Sequence, residues 1–477
     1  MKKLTDIKKD FPQWYQDVIY QAELVDSSPT PGCFVICPYG YAIWEEIQKN
    51  LDARIKKLGA KNAYFPLLIP ESFLKKEAEH VEGFAPEVAV VTHAGGKKLE
   101  EPFVIRPTSE TMMYHMFAKW ITSWRDLPLK INQWANVVRW EMRPRAFLRT
   151  REFLWHEGHT AHATRDEAVK MAEQEIAMYK DFVENVLAIP VIPGVKSASE
   201  RFAGAEETYC IEALMQDGKA LQFGTSHLLA HSFPKSFGLE FQDKDGNVKV
   251  PYCTSFGVAT RMIGGIVMQH GDENGLIIPP NVAPIQVVIV PIFRKDEEKE
   301  KVLNAANSIF EKLEKLGLRV QIDLDETKTP GAKFFHWEVR GVPVRIEIGP
   351  KDIEKNTAVL VNRAEPERAK KKQFVAMEQV ETETTKLLEE IQKQLFARAK
   401  KRMEDSWYQE EKLETIGKKL DSQPGFYQTG WCGSAECEAT LKPFKGTIRC
   451  LLKEQKHKTC FACEKESKTD VLVAKSY

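Results

Sequence analysis

An arginine and a glutamate one residue apart, Arg139 and Glu141, stand ahead of Phe153, which follows Glu141 by twelve positions. On neighbouring strands joined by a turn, such a set can hold a purine nucleotide flat. The guanidinium neutralises a phosphate, the carboxylate accepts from the adenine amino group, and the phenyl ring stacks on the base. The surrounding segment reads as a hairpin. Val137-Val138 leads in, Arg143-Pro144-Arg145 turns, and Phe153-Leu154-Trp155 leads out, with apolar residues on either side of a short loop. An ordinary hairpin with a surface ion pair has the same pattern, so the motif takes its weight from its neighbours.

Near the C-terminus, Cys432-x4-Cys437 and Cys460-x2-Cys463 form two pairs with 22 residues (438–459) between them. Thiolates spaced two to four apart and brought together by a loop can bind zinc tetrahedrally through four sulfurs. Four protein ligands leave no open position, so such a zinc is structural and helps the segment to fold. Cys450 and His457 are alternative ligands, and four unrelated free thiols are the plain alternative. Cys33 and Cys37 have no second pair nearby and read as ordinary thiols.

Upstream of the hairpin lies Ile105-Arg106-Pro107-Thr108-Ser109-Glu110-Thr111. Downstream come Gln222-Phe223-Gly224-Thr225-Ser226-His227 and Gly257-Val258-Ala259-Thr260-Arg261-Met262-Ile263-Gly264. With the hairpin, these resemble the ordered signatures of the class II aminoacyl-tRNA synthetases, and in detail the prolyl-tRNA synthetase family. The likeness runs from about Gly32 to Tyr477. It is closest to the eukaryotic-like and archaeal-like type, which carries a zinc site behind the anticodon-binding domain. It implies ATP and L-proline as substrates, tRNA(Pro) as acceptor, magnesium on the phosphates, and a homodimer.

Activation by ATP needs no enzyme nucleophile, because the amino-acid carboxylate attacks the α-phosphorus directly. The protein must align two reactants and neutralise developing charge. Arg139 is the candidate for the α-phosphate and the attacking carboxylate, since its planar fork can bridge two oxyanions. Arg261 is assigned the distal phosphate and the second face of the adenine. The resemblance adds Arg149, Thr150, Gln222, Thr225 and Thr260 as ATP contacts, and Glu212 and Gln222 as contacts to magnesium. Proline carries a secondary ammonium with two N–H donors, which Thr108 and Glu110 can accept. Plain helix capping by Thr108 is the alternative. The ring needs an apolar cage, and Trp155, Phe84, Phe202 and His227 match the family's positions for it. His159 and His162 read as structural.

Positioning these residues needs at least two kinds of sheet. Apolar spacing predicts helices over residues 39–58, ended by Gly59, over 108–122 and over 166–187. Strands are expected at 63–70, 130–141, 153–161, 209–215, 220–223 and 252–259, with a helix at 260–270. Runs of strands with helices to one side imply an α+β catalytic domain built on an antiparallel sheet, residues 1–283. From 284 to 403, strand and helix alternate. They read as an α/β anticodon-binding domain with a mostly parallel sheet and a long final helix from about Lys372. Residues 404–477, rich in Lys and Glu, would form a small zinc-containing C-terminal domain.

In the middle unit, Arg345 and Glu347 lie two apart on one strand. In the resembling family such a strand lies near the anticodon, where Glu347 would accept from guanine and Arg345 would contact guanine or phosphate. An ion pair between them is the equal alternative.

The 68 basic and 68 acidic residues cancel, so net charge argues neither for nor against nucleic acid. No apolar run is long enough for a membrane span. Nine cysteines without a secretory signal suggest a reducing, cytoplasmic setting. Some bacterial members of the resembling family carry a large editing insertion. The stretch 154–210 has no room for one, so alanine or cysteine should be activated and not cleared in cis. Two rivals stand beside this reading: a threonyl-type synthetase, whose pocket zinc would need a Cys-His-His set absent from these motifs, and a non-catalytic synthetase-like protein, which would lack Arg139, Glu141 or Arg261.

Overall fold

Along the strand Glu152–His162, side chains alternate between two surroundings. Trp155, Glu157 and His159 border a cavity. His156 and Thr160 turn instead toward the helix Arg165–Asn185. His156 pairs with Tyr179 of that helix at 2.8 Å, and Thr160 pairs with Thr254 at 2.6 Å. This strand is the centre of the fold. A computed structural model describes residues 3–78 and 88–477, and in it Glu152–His162 pairs antiparallel with Leu129–Val138 and Tyr252–Ala259. Tyr252–Ala259 pairs with Ala220–Ala230, which pairs with Glu207–Leu214 and, beyond it, Ile192–Val195. The antiparallel catalytic sheet is thus the one expected. Gly158 is required by close approach, because a Cβ there would lie 2.1 Å from the Phe256 ring.

Arg165–Asn185 covers one face of this sheet. A capping box starts it: Glu167 N donates to Thr164 Oγ1, and Thr164 N donates to Glu167 Oε2. Its Met171, Glu175, Ile176, Tyr179, Phe182 and Val183 are buried at helical spacing. Truncating one of the large ones, such as Phe182, should cost about 3–5 kcal/mol. The helix Pro38–Lys57 packs on it through Ile43, Trp44, Ile47, Leu51 and Ile55. Gly59 follows in the left-handed region at φ +86°. A hairpin of Ala89–Ala94 and Lys97–Ile105, not expected from the sequence, pairs with Leu68–Pro70.

The next unit is a five-stranded sheet in the order Val320–Ile322, Val287–Pro291, Val344–Ile348, Thr357–Asn362, Lys372–Ala376. Its first three strands are parallel, but the last two are antiparallel. The expected mostly parallel sheet is therefore mixed. The run at Lys372 is an edge strand, and the long helix begins only at Val380 and reaches Asp405. Along Val287–Pro291, Val287 and Ile289 pack with the helices Asp296–Lys315 and Val380–Asp405. Val288 and Val290 pack with Trp337 of Pro330–Val339. Helices thus cover both faces.

The C-terminal segment has its own core, including Ile416, Leu420, Tyr427, Trp431 and Phe461. Its strands nevertheless run on from the catalytic sheet. Thr447–Leu451 meets Ile192–Val195 at Leu451 and Val195, and Thr469–Ala474, Phe426–Trp431 and Trp407–Gln409 follow outward. With Lys61–Asn62 at the far edge, one sheet of eleven strands spans both regions.

Candidate active site

The hairpin between Leu129–Val138 and Glu152–His162 opens onto a cleft of about 450 Å³. Arg139, Glu141, Arg149, Thr150, Phe153, Trp155, Gln222, Thr225 and Arg261 line it. Arg139 directly follows the strand Leu129–Val138; its backbone N donates to the Arg151 carbonyl at 2.8 Å, and its Nε donates to the Pro107 carbonyl at 3.0 Å. Its guanidinium carbon lies 5.6 Å from the Phe153 ring centroid and 5.3 Å from that of Trp155. Pro107 is held in turn by buried Arg106, whose guanidinium donates to Phe65 O, Asn136 O and Asn136 Oδ1 at 2.7–2.9 Å. Arg261 opens the helix Arg261–His270, and Thr260 stands at its N-cap. Burial lowers the Arg261 pKa to about 10, with Arg149 and Arg139 adding to the fall. Burial also lowers that of Arg139, against the pull of Glu110 and Glu157. A guanidinium stays cationic at neutral pH, and among the described residues the ion pair on this cleft is formed by Arg149 and not by either of these arginines. Glu141 lies 3.8 Å from Arg149, so the hairpin does carry an ion pair, and this pair sits on the wall of the cleft.

A second cavity, about 250 Å³, adjoins the first and shares Arg139, Trp155, Gln222, Thr225 and Gly257 with it. Thr108, Glu110, Glu157, His159, Glu200, Phe202 and His227 are among its other lining residues. Its floor is a buried carboxylate pair. Glu157 accepts from Ser109 Oγ at 2.5 Å, Ser109 N at 3.0 Å and Gln133 Nε2 at 3.0 Å. Thr108 Oγ1 donates to Glu110. His159 Nε2 lies 4.0 Å from Glu110 and 3.8 Å from Glu157. Burial raises the Glu110 carboxyl, and the charge on Glu157 raises it further. Burial also works against ionised Glu157, but the bonds from His159 and Ser109 hold its pKa below the usual range. Glu157 therefore carries the charge and Glu110 the more readily held proton. His227 is pushed down to about 3, chiefly by burial, with His159 and Arg139 adding to the fall, so it is a neutral wall. Its ring lies 4.6 Å from that of Phe202, and Nδ1 pairs with Thr208 Oγ1 at 3.0 Å. Such a site fits a small cationic amine beneath an apolar ring.

Several expectations change. Glu157 and His159 were not assigned to the site, yet both border it, two and four residues beyond Trp155 on the same strand face. Thr108 is not the helix cap: the helix is Glu110–Trp120, and Ser109 occupies the N-cap position. Glu212 lines neither cavity. Both of its oxygens are taken by Lys196 Nζ at 2.7 Å and by the Arg449 guanidinium at 3.0–3.2 Å, because the C-terminal segment covers that end of its strand. Phe84 lies outside the described residues.

Farther away, Cys432, Cys437, Cys460 and Cys463 bring their sulfurs within 4.8 Å of one another. The Cys432 sulfur is 3.7 Å from Cys437 and 3.8 Å from Cys463. Zinc–sulfur bonds of about 2.3 Å in a tetrahedron require sulfur separations of about 3.8 Å, so the set fits zinc. The alternative ligands are engaged elsewhere: His457 pairs with Asp470 at 2.9 Å, and Cys450 is buried beside Gly194. On Val344–Ile348, Arg345 donates to Glu347 Oε1 at 2.9 and 3.1 Å, and Lys372 donates to Oε2 at 2.6 Å. The Arg345 guanidinium also covers the Phe334 ring at 4.4 Å. Arg345 and Glu347 therefore form an ion pair here, on a partly accessible face.

Comparison with known proteins covers the same three regions. Residues 92–270 match the tRNA synthetase class II core domain (G, H, P, S and T), 286–394 the anticodon binding domain, and 413–477 the prolyl-tRNA synthetase C-terminal family. The chain is 51% identical to proline–tRNA ligase 2 of Clostridioides difficile over 481 residues, covering 100% of this chain and 98% of that protein. It is 47% identical over 483 residues to proline–tRNA ligase of Borreliella burgdorferi, with 98% of each covered. The crystal structure of a prolyl-tRNA synthetase from Cryptosporidium parvum, complexed with halofuginone and AMPPNP, superimposes with a TM-score of 0.94. Sequence identity to it is 42%, with 99% of both chains covered.

Proposed function

The chain belongs to the prolyl-tRNA synthetases, class II ligases that join proline to tRNA with ATP, and from that premise we propose how its own residues divide the work. Proline enters the smaller cavity with its ammonium over Thr108, Glu110 and Glu157. The ring lies against Trp155, Phe202 and His227, and the carboxylate points toward the seam with the cleft. ATP lies in the cleft. Glu141 accepts from the adenine amino group, Phe153 stacks on one face of the base, and Arg261 covers the other and meets the distal phosphate. Arg149, Thr150, Thr225 and Thr260 hold the remainder of the nucleotide. Arg139 bridges the proline carboxylate and the α-phosphate, which sets the two reacting atoms in line.

A carboxylate oxygen then bonds to the α-phosphorus as the bond to the bridging oxygen breaks. Prolyl-adenylate stays bound and diphosphate leaves. In the second step a terminal ribose hydroxyl of tRNA(Pro) attacks the acyl carbon, and AMP departs. Enzymes of this class use ATP with Mg²⁺, which supplies charge neutralisation on the phosphates; Gln222, one of the residues that line both cavities, would contact it. Zinc in the four-cysteine cluster would hold the C-terminal segment folded and take no part in the chemistry.

Arg345 and Glu347 are read as anticodon contacts, with the pair between them exchanged for guanine edges on binding. The molecule works as a homodimer in the cytoplasm. Among the described residues no helix is long and apolar enough to cross a membrane. Among the described residues the threonyl alternative lacks its pocket metal set, because the groups gathered here are two carboxylates and one histidine.

One observation carries this reading: Arg139 stands on the wall of both cavities. ATP–diphosphate exchange measured with all twenty amino acids tests it. Proline should give the highest kcat/KM, with weaker signals from alanine and cysteine. Preference for any other amino acid would overturn the assignment of the smaller cavity.

A further inference from the structure

The loop that joins Ile192–Val195 to Glu207–Leu214 forms one side of the amino-acid pocket, with Glu200 and Phe202 on the wall. Much of what holds this loop comes from the C-terminal segment. Ser197 Oγ donates to Glu438 Oε1 at 2.7 Å, and Ser199 Oγ donates to Glu438 Oε2. Beside them, Lys196 Nζ donates to the Arg449 carbonyl at 2.7 Å. Glu438 is only 8% exposed, so two hydroxyls stand where water would otherwise solvate its charge. At the other end of the loop, Phe202 N donates to Thr208 Oγ1 at 3.0 Å, and the same hydroxyl pairs with His227. The loop is thus fastened on both sides of its pocket-lining residues. Ser199 precedes Glu200 directly, which leaves little slack between the Glu438 anchor and the wall.

We propose that Glu438 is a positioning residue for the amino-acid pocket. It touches no substrate. It fixes Ser197 and Ser199, and through them keeps Glu200 and Phe202 closed on the amino acid. The C-terminal segment therefore sets affinity for the amino acid from outside the catalytic domain. This inference rests on reading the smaller cavity as the proline site.

ATP–diphosphate exchange, with proline and ATP varied separately, tests it in the full-length protein. Glu438→Ala should raise the proline KM roughly tenfold, as loss of hydrogen bonds to a charged group implies. The ATP KM and kcat should move by no more than about twofold, since no group of the cleft is touched. Glu438→Gln keeps one acceptor oxygen and should fall between. The double variant Ser197→Ala/Ser199→Ala should reproduce Glu438→Ala while leaving the C-terminal segment intact. It decides the matter if Glu438→Ala fails to fold. An unmoved proline KM in these variants would overturn the proposal. So would proline and ATP KM values rising together with a lowered melting temperature, which would mark a weakened seam between domains. The wild-type protein separates this from the underlying reading: preference for an amino acid other than proline would sink the pocket assignment, whereas proline exchange that is insensitive to Glu438 would sink only the positioning role.

Discussion

The two cavities share a wall and have opposite electrostatics. The cleft proposed for the nucleotide is rich in guanidinium groups, and among the described residues its one acidic lining residue, Glu141, faces Arg149. Burial pulls down the pKa of Arg139 and Arg261 without neutralising them. The smaller cavity, proposed for the amino acid, is floored by two carboxylates and walled by neutral His227. A polyanion suits the first and an ammonium the second. The reacting carboxylate must then lie between them, where Arg139 stands. A zwitterion is oriented by this gradient before any specific contact forms.

The comparison can be broken most forcefully at its seam. Arg139→Ala should lower kcat/KM for proline-dependent exchange by about 10²–10³, the cost of removing a donor aimed at developing charge, and should weaken both substrates. Next is the pocket floor. Glu157→Gln should raise the proline KM by roughly 10- to 100-fold while leaving the ATP KM nearly unchanged, because the lost partner is charged. An equal loss for both substrates would show that the cavities are not electrostatically separate. On the cleft side, Phe153→Ala should raise the ATP KM by about tenfold, the scale of one base–aromatic stack, and spare proline. The smallest effect lies behind the sheet. Burial raises the Glu175 carboxyl to about 8, despite bonds from Ser226 and Thr254 and the charge of Lys130. The folded protein keeps a proton there that the unfolded chain loses near pH 4.3. Stability from this group is full below about pH 4.3 and is lost as pH rises through about 8. Thermal melts should therefore show Glu175→Gln gaining on the wild type from pH 5 to pH 9, by a few degrees at most.

What the sequence disclosed follows from how local each signal is. The hairpin, the 105–111 motif and the Gly257–Gly264 motif are short contiguous strings, and the residues they contain meet in one place. Glu157 and His159 were legible in principle. Trp155 was already placed on the wall, and a strand's period of two sends the next alternate residues to the same face. Glu212 was not legible, because Arg449 and Lys196 reach it only through pairing between distant segments. The strand Lys372–Ala376 was missed because its exposed lysine and Phe374, 74% accessible, lack the apolar alternation of a covered strand.

Sharing one sheet between regions far apart in the chain has a consequence for biosynthesis. The ribosome delivers Ile192–Val195 long before Thr447–Leu451, which meets its outer edge at Leu451 and Val195. Until then a nascent chain displays unpaired backbone amides and carbonyls beside a half-built centre, a template for wrong partners. Chaperones have a defined window in which to shield that edge, and a prematurely terminated product is left with it permanently open.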